Sequence, residues 1–218
     1  MNDNPVIDQV RRSGVIAVLT LDDAALAVPL ARALVAGGIT AMELTLRTPA
    51  ALEALRAIVA EVPELLAGAG TVLTPQQVGA VRAAGAAFAV APGTNARVIE
   101  AAREEGLFFM PGVATPSDIE LAVECDCRAL KFFPAEPCGG LAYLKNMAAP
   151  YAHLGLRFVP LGGITTANVR GYLQDPLILA VGGSWLAPRE RIAAEDWPAI
   201  TKTAQEAVAC VSQAGGRR

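Results

Sequence analysis

Residues 157–184 open with Arg157-Phe-Val-Pro160-Leu161-Gly162-Gly163-Ile164-Thr165 and close with Ile178-Leu-Ala-Val181-Gly182-Gly183-Ser184. Each half is a short apolar run ended by a pair of glycines. Uninterrupted apolar runs of this length suit strands covered on both faces, as in a parallel sheet flanked by helices. Glycine pairs after two successive strands at the end of such a chain favour a closed barrel over an open sheet. Barrels commonly seat phosphate on those loops, with backbone N–H groups and no lysine or metal.

Working outward, the same alternation fills the chain. Strands are predicted at Val15–Leu19, Ala41–Leu46, Leu65–Ala69, Ala87–Ala91, Leu107–Met110, Ala129–Phe133, Arg157–Pro160 and Ile178–Val181. Alanine-rich amphipathic helices are predicted between them, at Asp22–Ala36, Pro49–Ala60, Pro75–Ala84, Asn95–Glu104 and Ser117–Glu124. Thr48-Pro49, Thr74-Pro75 and Thr115-Pro116 each pair an N-cap candidate with proline at the first helical position. Gly37-Gly38, Gly85 and Gly106 supply stop signals. A short helix precedes the first strand, and Ile200–Val211 reads as a closing amphipathic helix before a frayed Gly-Gly-Arg-Arg. Eight strand–helix units in 218 residues predict one domain over residues 1–218, a (β/α)8 TIM barrel of the α/β class. A doubly wound open sheet is the competing architecture.

Composition agrees. Apolar residues make up 53% of the chain and mean hydropathy is +0.41, as expected for strands buried on both sides or for a subunit interface. Arg32, Glu43, Arg82 and Lys131 interrupt the long apolar stretches, so no membrane span is expected. The first residues lack a basic segment followed by an apolar core, so no signal peptide is expected either. A net charge of −3 disfavours nucleic acid as a partner, since backbone phosphates require clustered cations. Cys125, Cys127, Cys138 and Cys210 are accompanied by one histidine, His153. Reduced cytoplasmic thiols are the expectation, with no metal and no cofactor.

The second strand reads Ala41-Met42-Glu43-Leu44-Thr45-Leu46-Arg47. Alternation puts Glu43, Thr45 and Arg47 on one face and the apolar residues on the other. In a barrel this aims a carboxylate and a guanidinium inward, where charges persist only if paired or used. An internal Glu–Arg ion pair without chemistry is one outcome. The sixth strand, Ala129-Leu130-Lys131-Phe132-Phe133, projects Lys131 to the same interior; its alternative is a strand-end lysine reaching solvent. A free lysine, with pKa near ~10.4, is almost wholly ammonium at neutral pH. Burial and a neighbouring cation such as Arg47 would release a nucleophilic amine. Thr71, after Gly68-Ala-Gly70, can offer a hydroxyl and an N–H to a carboxylate. Pro92-Gly93 and Pro111-Gly112 end two further strands as sharp turns.

In order along the chain, several motifs resemble the 2-keto-3-deoxy-6-phosphogluconate (KDPG) aldolase family, which also includes 4-hydroxy-2-oxoglutarate (KHG) aldolase activity. They are Glu43-x-Thr45-x-Arg47-Thr48, Gly68-Ala-Gly70-Thr71-Val-Leu, Pro111-Gly-Val-Ala-Thr-Pro116, Leu130-Lys131-Phe-Phe133-Pro-Ala-Glu136, Gly162-Gly-Ile-Thr165 and Gly182-Gly-Ser184-Trp-Leu186. The resemblance runs from about Val6 to the C-terminal helix. It implies a (β/α)8 barrel, a homotrimer, and an active site at the C-terminal ends of the strands. Lys131 then matches the Schiff-base lysine and Glu43 the general acid/base. Arg47 and Thr71 match the groups that hold the keto-acid carboxylate, and Phe133 the aromatic beside the imine. Gly162, Gly163 and Ser184 match phosphate-loop positions; Pro92, Leu161 and Gly183 complete the expected substrate-binding set. Three positions depart from the family pattern: Leu161 replaces a usual threonine, Ala17 a common proline, and Ala91 a frequent serine.

The activity so implied is class I aldol cleavage of the phosphorylated 2-keto acid KDPG to pyruvate and glyceraldehyde 3-phosphate. The rivals are the same chemistry on the C4 epimer or on KHG, and a catalytically silent oligomeric scaffold. A scaffold has no need to retain Lys131, Glu43 and Arg47.

Overall fold

A computed structural model of the chain describes residues 4–214; the Gly-Gly-Arg-Arg tail lies outside them. Among the described residues nine parallel strands are present: β1 (Val15–Leu19), β2 (Ala41–Thr45), β3 (Leu66–Gly70), β4 (Phe88–Val90), β5 (Phe108–Met110), β6 (Gly112–Val113), β7 (Ala129–Phe132), β8 (Arg157–Pro160) and β9 (Val181–Gly183). Hydrogen bonding runs β5-β4-β3-β2-β1-β9 in one sheet and β6-β7-β8 in the other. Pro111 alone separates β5 from β6, so these two are one barrel strand interrupted at its turn. Phe158 bridges to Ile178, and Val181 pairs with Val15. Those two links close the cylinder.

The predicted eighth strand, Ile178–Val181, is therefore corrected. Its first residue touches β8 and the ladder with β1 runs from Val181 to Gly183. Pairing with β8 sits at its start and pairing with β1 begins at its last residue, so the regular ladder lies two residues further along than predicted.

Side-chain alternation sorts the core into two sets. Met42, Leu44, Leu130, Phe132 and Phe158 face the helix ring. Ile16, Ala41, Phe88, Val90, Met110, Ala129, Val159, Leu161 and Leu179 fill the barrel, and Val10 of the helix α1 (Pro5–Ser13) plugs its N-terminal end. The two faces of one strand thus belong to two separate apolar clusters, the reason these strands read as unbroken apolar runs.

Helix starts follow the local chemistry in most places. Thr74 and Thr115 each form a reciprocal capping box, with Gln77 and Asp118, at α4 (Pro75–Ala83) and α6 (Pro116–Glu124). Thr48 does not cap: its hydroxyl donates to the Leu21 carbonyl, and α3 (Ala51–Glu61) starts two residues beyond Pro49 without a side-chain cap. The stretch predicted as one helix from Asp22 opens with a 3-10 turn (Ala24–Leu26) capped by Asp23, before α2 (Ala27–Ala36). The closing helix extends beyond its predicted bounds, to Trp197–Gln213, and its Thr201 hydroxyl bonds the Ala33 carbonyl of α2 at 2.9 Å. Among the described residues, no helix is long and apolar enough to cross a membrane.

Candidate active site

Lys131 and Glu43 meet inside the barrel. The lysine Nζ donates to Glu43 Oε1 at 3.1 Å, and the residues are 5% and 1% exposed. Eighty-eight positions separate them in the chain; the inward phase of β2 and β7 brings them together. The Lys131 ammonium also lies 5.5 Å from the centre of the Phe133 ring, within cation–π range. Phe133 stands one residue past the end of β7, half-buried at the rim.

Room for this pair comes from β3. Thr45 lies opposite Gly70 and Glu43 opposite Gly68 in the ladder. A Cβ on Gly70 would fall 2.7 Å from Glu43 Oε1, so the carboxylate fills space that any side chain there would need. Gly70 was not among the expected site residues. Its signal was present, as a glycine on the inward phase of a strand beside an inward glutamate. Above Glu43, the buried Thr45 hydroxyl lies 3.0 Å from the Leu19 carbonyl and 2.8 Å from the Thr20 hydroxyl.

Arg47 lies two residues past the end of β2, beyond the regular alternation that carries Glu43 and Thr45. Strand β2 ends at Thr45, the Arg47 N–H turns back to the Thr45 carbonyl at 2.8 Å, and Arg47 is exposed at the mouth. The charged group at hydrogen-bond distance from Lys131 is thus Glu43. That carboxylate is placed to exchange a proton with the lysine amine. Thr71 takes a left-handed backbone, φ 59°, which costs a β-branched residue roughly 1–3 kcal/mol. That bend carries the chain out of the barrel at the level of the Lys131–Glu43 pair. Pro92 is exposed at the same rim, and the backbone beside it packs on Gly112.

The glycine loop after β8 is held on one side only. The Leu161, Gly162 and Gly163 carbonyls accept from Ala135 N at 2.7 Å, Glu136 N at 3.0 Å and Asn168 Nδ2 at 3.0 Å. Gly162 and Gly163 have φ of 93° and 82°. The N–H groups of Gly162, Gly163 and Ile164 donate to no protein group among the described residues. Three consecutive carbonyls are engaged and three consecutive donors are left over, the kind of donor run that can receive an anion. Ser184 is exposed directly after Gly183, across the gap between β8 and β9. Leu161 points into the barrel core, and a Cβ on Gly182 would fall 2.6 Å from its Cγ.

Among the described residues no cluster of histidine, cysteine and carboxylate side chains has the makings of a metal site. All four cysteines are free. A surface groove of about 730 Å³ between α2 and the closing helix contains none of these residues.

The profile of the family described as KDPG and KHG aldolase matches residues 6–203. The chain is 46% identical over 194 residues to the KHG/KDPG aldolase of Escherichia coli K12, covering 89% of this chain and 90% of that one. It is 45% identical over 203 residues to the 2-dehydro-3-deoxy-phosphogluconate aldolase of Dickeya dadantii, covering 93% and 94%. A solved KDPG aldolase from Legionella pneumophila, with pyruvate captured as a covalent carbinolamine, superposes with a TM-score of 0.88 at 38% identity, covering 94% and 98%. Profile, relatives and fold agree over nearly the full length, and the chain belongs to the KDPG and KHG aldolase family, a family of carbon–carbon lyases.

Proposed function

We propose that this protein is a class I aldolase that cleaves KDPG reversibly to pyruvate and glyceraldehyde 3-phosphate through a Schiff base on Lys131. The observation that carries the reading is the buried Lys131–Glu43 pair at 3.1 Å. It joins an amine nucleophile to a group able to move its protons, in a barrel interior that excludes most water.

Glu43 takes the surplus proton from Lys131, and the free amine attacks the C2 ketone. The carbinolamine loses water, with Glu43 returning the proton to the departing hydroxyl. The iminium nitrogen draws electrons from the C3–C4 bond as Glu43 removes the C4 hydroxyl proton. Glyceraldehyde 3-phosphate leaves and an enamine remains. Glu43 then protonates C3, and water hydrolyses the imine to pyruvate. Arg47 at the mouth and Thr71 at the bend hold the keto-acid carboxylate, and Phe133 and Pro92 line the imine. The unpaired N–H groups of Gly162 and Gly163, with Gly183 and Ser184, receive the phosphate. Leu161 borders the substrate hydroxyls.

The same reading makes the whole chain one barrel domain, a homotrimer working in the cytoplasm on anionic keto acids, without metal or cofactor. A second reading, KHG as an additional substrate, is favoured by the naming of the E. coli relative for both activities. The test is borohydride reduction in the presence of pyruvate, followed by peptide mapping. A single adduct on Lys131 is expected. An adduct on Lys145 or Lys202, both exposed on helices, or none at all, overturns the assignment.

A further inference from the structure

The mechanism leaves one part of the Lys-Phe-Phe-Pro-Ala-Glu segment without a task. Glu136 ends it, five residues past Lys131, and is exposed. Its carboxylate nevertheless has a defined partner: the Tyr172 hydroxyl donates to Glu136 Oε1 at 2.5 Å. Tyr172 is 2% exposed and packs in the outer core, on the short helix α8 (Val169–Leu173). Burial and the hydrogen bond to Glu136 push the Tyr172 hydroxyl above its ordinary value, so it remains a donor.

The stem of Glu136 lies against the glycine loop. A Cβ on Gly163 would sit 2.5 Å from Glu136 Cβ and 2.8 Å from its Cγ. A Cβ on Gly162 would meet Pro134 and Phe133 at 3.2 and 3.3 Å. The Glu136 N–H holds the Gly162 carbonyl at 3.0 Å. Glu136 therefore grips the loop with its backbone and its stem, while Tyr172 fixes the far end of its side chain from the core.

We infer that Glu136, held by Tyr172, is a positioning residue that keeps the Gly162-Gly163 loop in its donor-outward shape and so sets affinity for the phosphate end of the substrate. This rests on the reading of that loop as the phosphate seat. The carbonyls are tied, so the loop presents three donors to the substrate side at no reorganisation cost. Loss of the tether leaves the loop free to rotate those donors away. The amine and Glu43 are unaffected, because neither bonds the loop.

The test compares wild type, Tyr172→Phe, Glu136→Ala and Glu136→Gln with KDPG and with its unphosphorylated analogue, 2-keto-3-deoxygluconate. Wild type decides the phosphate seat: a preference for KDPG, with inorganic phosphate inhibiting the unphosphorylated reaction, is required. Its absence removes that reading and the inference with it. Given that preference, Tyr172→Phe and Glu136→Ala should each raise KM for KDPG about fivefold to tenfold, the order expected for losing one ordinary hydrogen bond, since the tether acts on the substrate only through the loop. Values of kcat, and KM for the analogue, should stay within about twofold. Glu136→Gln keeps an acceptor for the tyrosine and should restore most of the affinity. Equal losses on both substrates, an unchanged KM for KDPG, or a glutamine variant as impaired as alanine would each overturn the inference while leaving the phosphate seat intact. Glu136 is on the surface and its truncation removes no core packing, so the folded variant is available to measure.

Discussion

Gly70 and Glu43 occupy adjoining space on neighbouring strands: a Cβ on the glycine would lie 2.7 Å from the glutamate Oε1 and 3.2 Å from Thr45 Cγ2. The carboxylate meets Lys131 because β3 presents no side chain there. Gly70→Ala must displace Glu43 or part the strands. A shift of about 1 Å at a reacting group can cost ~10²-fold in rate. The expected outcome is a turnover loss of that order in a pyruvate-release assay, with the global fold retained by circular dichroism. Near-normal turnover would mean that Glu43 has another placement available.

Glu43→Gln keeps the size and hydrogen bonding of the side chain and removes its proton exchange. Imine trapping with pyruvate and borohydride should persist, while turnover falls by about 10²-fold or more. Turnover close to wild type would reduce the Lys131–Glu43 contact to a structural ion pair.

The pair also has a stability signature. Lys131→Met leaves the Glu43 carboxylate buried without its partner, and breaking a buried pair from one side costs roughly 3–5 kcal/mol. Adding Glu43→Leu removes the stranded charge and should recover most of that loss, although the double variant is inactive. Chemical denaturation of the two variants checks this. Equal stabilities would show that water reaches the carboxylate in the single variant.

Leu161 cannot hydrogen-bond a substrate hydroxyl, as a threonine at this position could. One missing bond weakens discrimination by about 0.5–1.5 kcal/mol, or roughly 2- to 13-fold. The wild-type protein should therefore separate KDPG from its C4 epimer less sharply than Leu161→Thr does, read as the ratio of kcat/KM values. Leu161 packs over Gly182 in the barrel core, so the variant's melting temperature is measured alongside. An unchanged ratio assigns stereochemistry to another group.

Cys127 provides a pH test remote from the site. Burial, and then the nearby Cys125, raise its thiol from 9.0 to about 11. At pH 8 it should alkylate more slowly than a free thiol such as glutathione, with its rate climbing as pH approaches about 11. The folded state holds this proton more tightly than the unfolded state does. Its contribution to stability is therefore full below pH 9 and lost as pH rises from 9 toward 11. Mass-resolved iodoacetamide labelling across that range checks the rates.

Much of the barrel was legible in one dimension. Two-residue alternation put Glu43 and Lys131 on inward faces, and Thr74, Thr115 and Asn95 marked helix starts that the backbone uses. Local chemistry settles such features, since the groups that satisfy each other are a few residues apart. What alternation could not supply was where a strand stops. Alternation extends the Glu43–Thr45 face to Arg47, but the regular strand ends at Thr45, before the turn into α3. Thr48 looked like a cap, and a carbonyl 27 positions away claimed its hydroxyl.

The strand–helix repeat, the inward lysine and glutamate, and the two glycine loops could be read along the chain, because periodicity and backbone freedom are local properties. Three-dimensional packing was needed to show that Lys131 bonds Glu43, that Gly70 makes the space for it, and that Glu136 and Tyr172 brace the loop at Gly163. Each of those depends on the register between β2, β3 and β7 or on the closure of the ring. Register and closure are set by packing among residues tens of positions apart, to which no single segment of the chain carries the key.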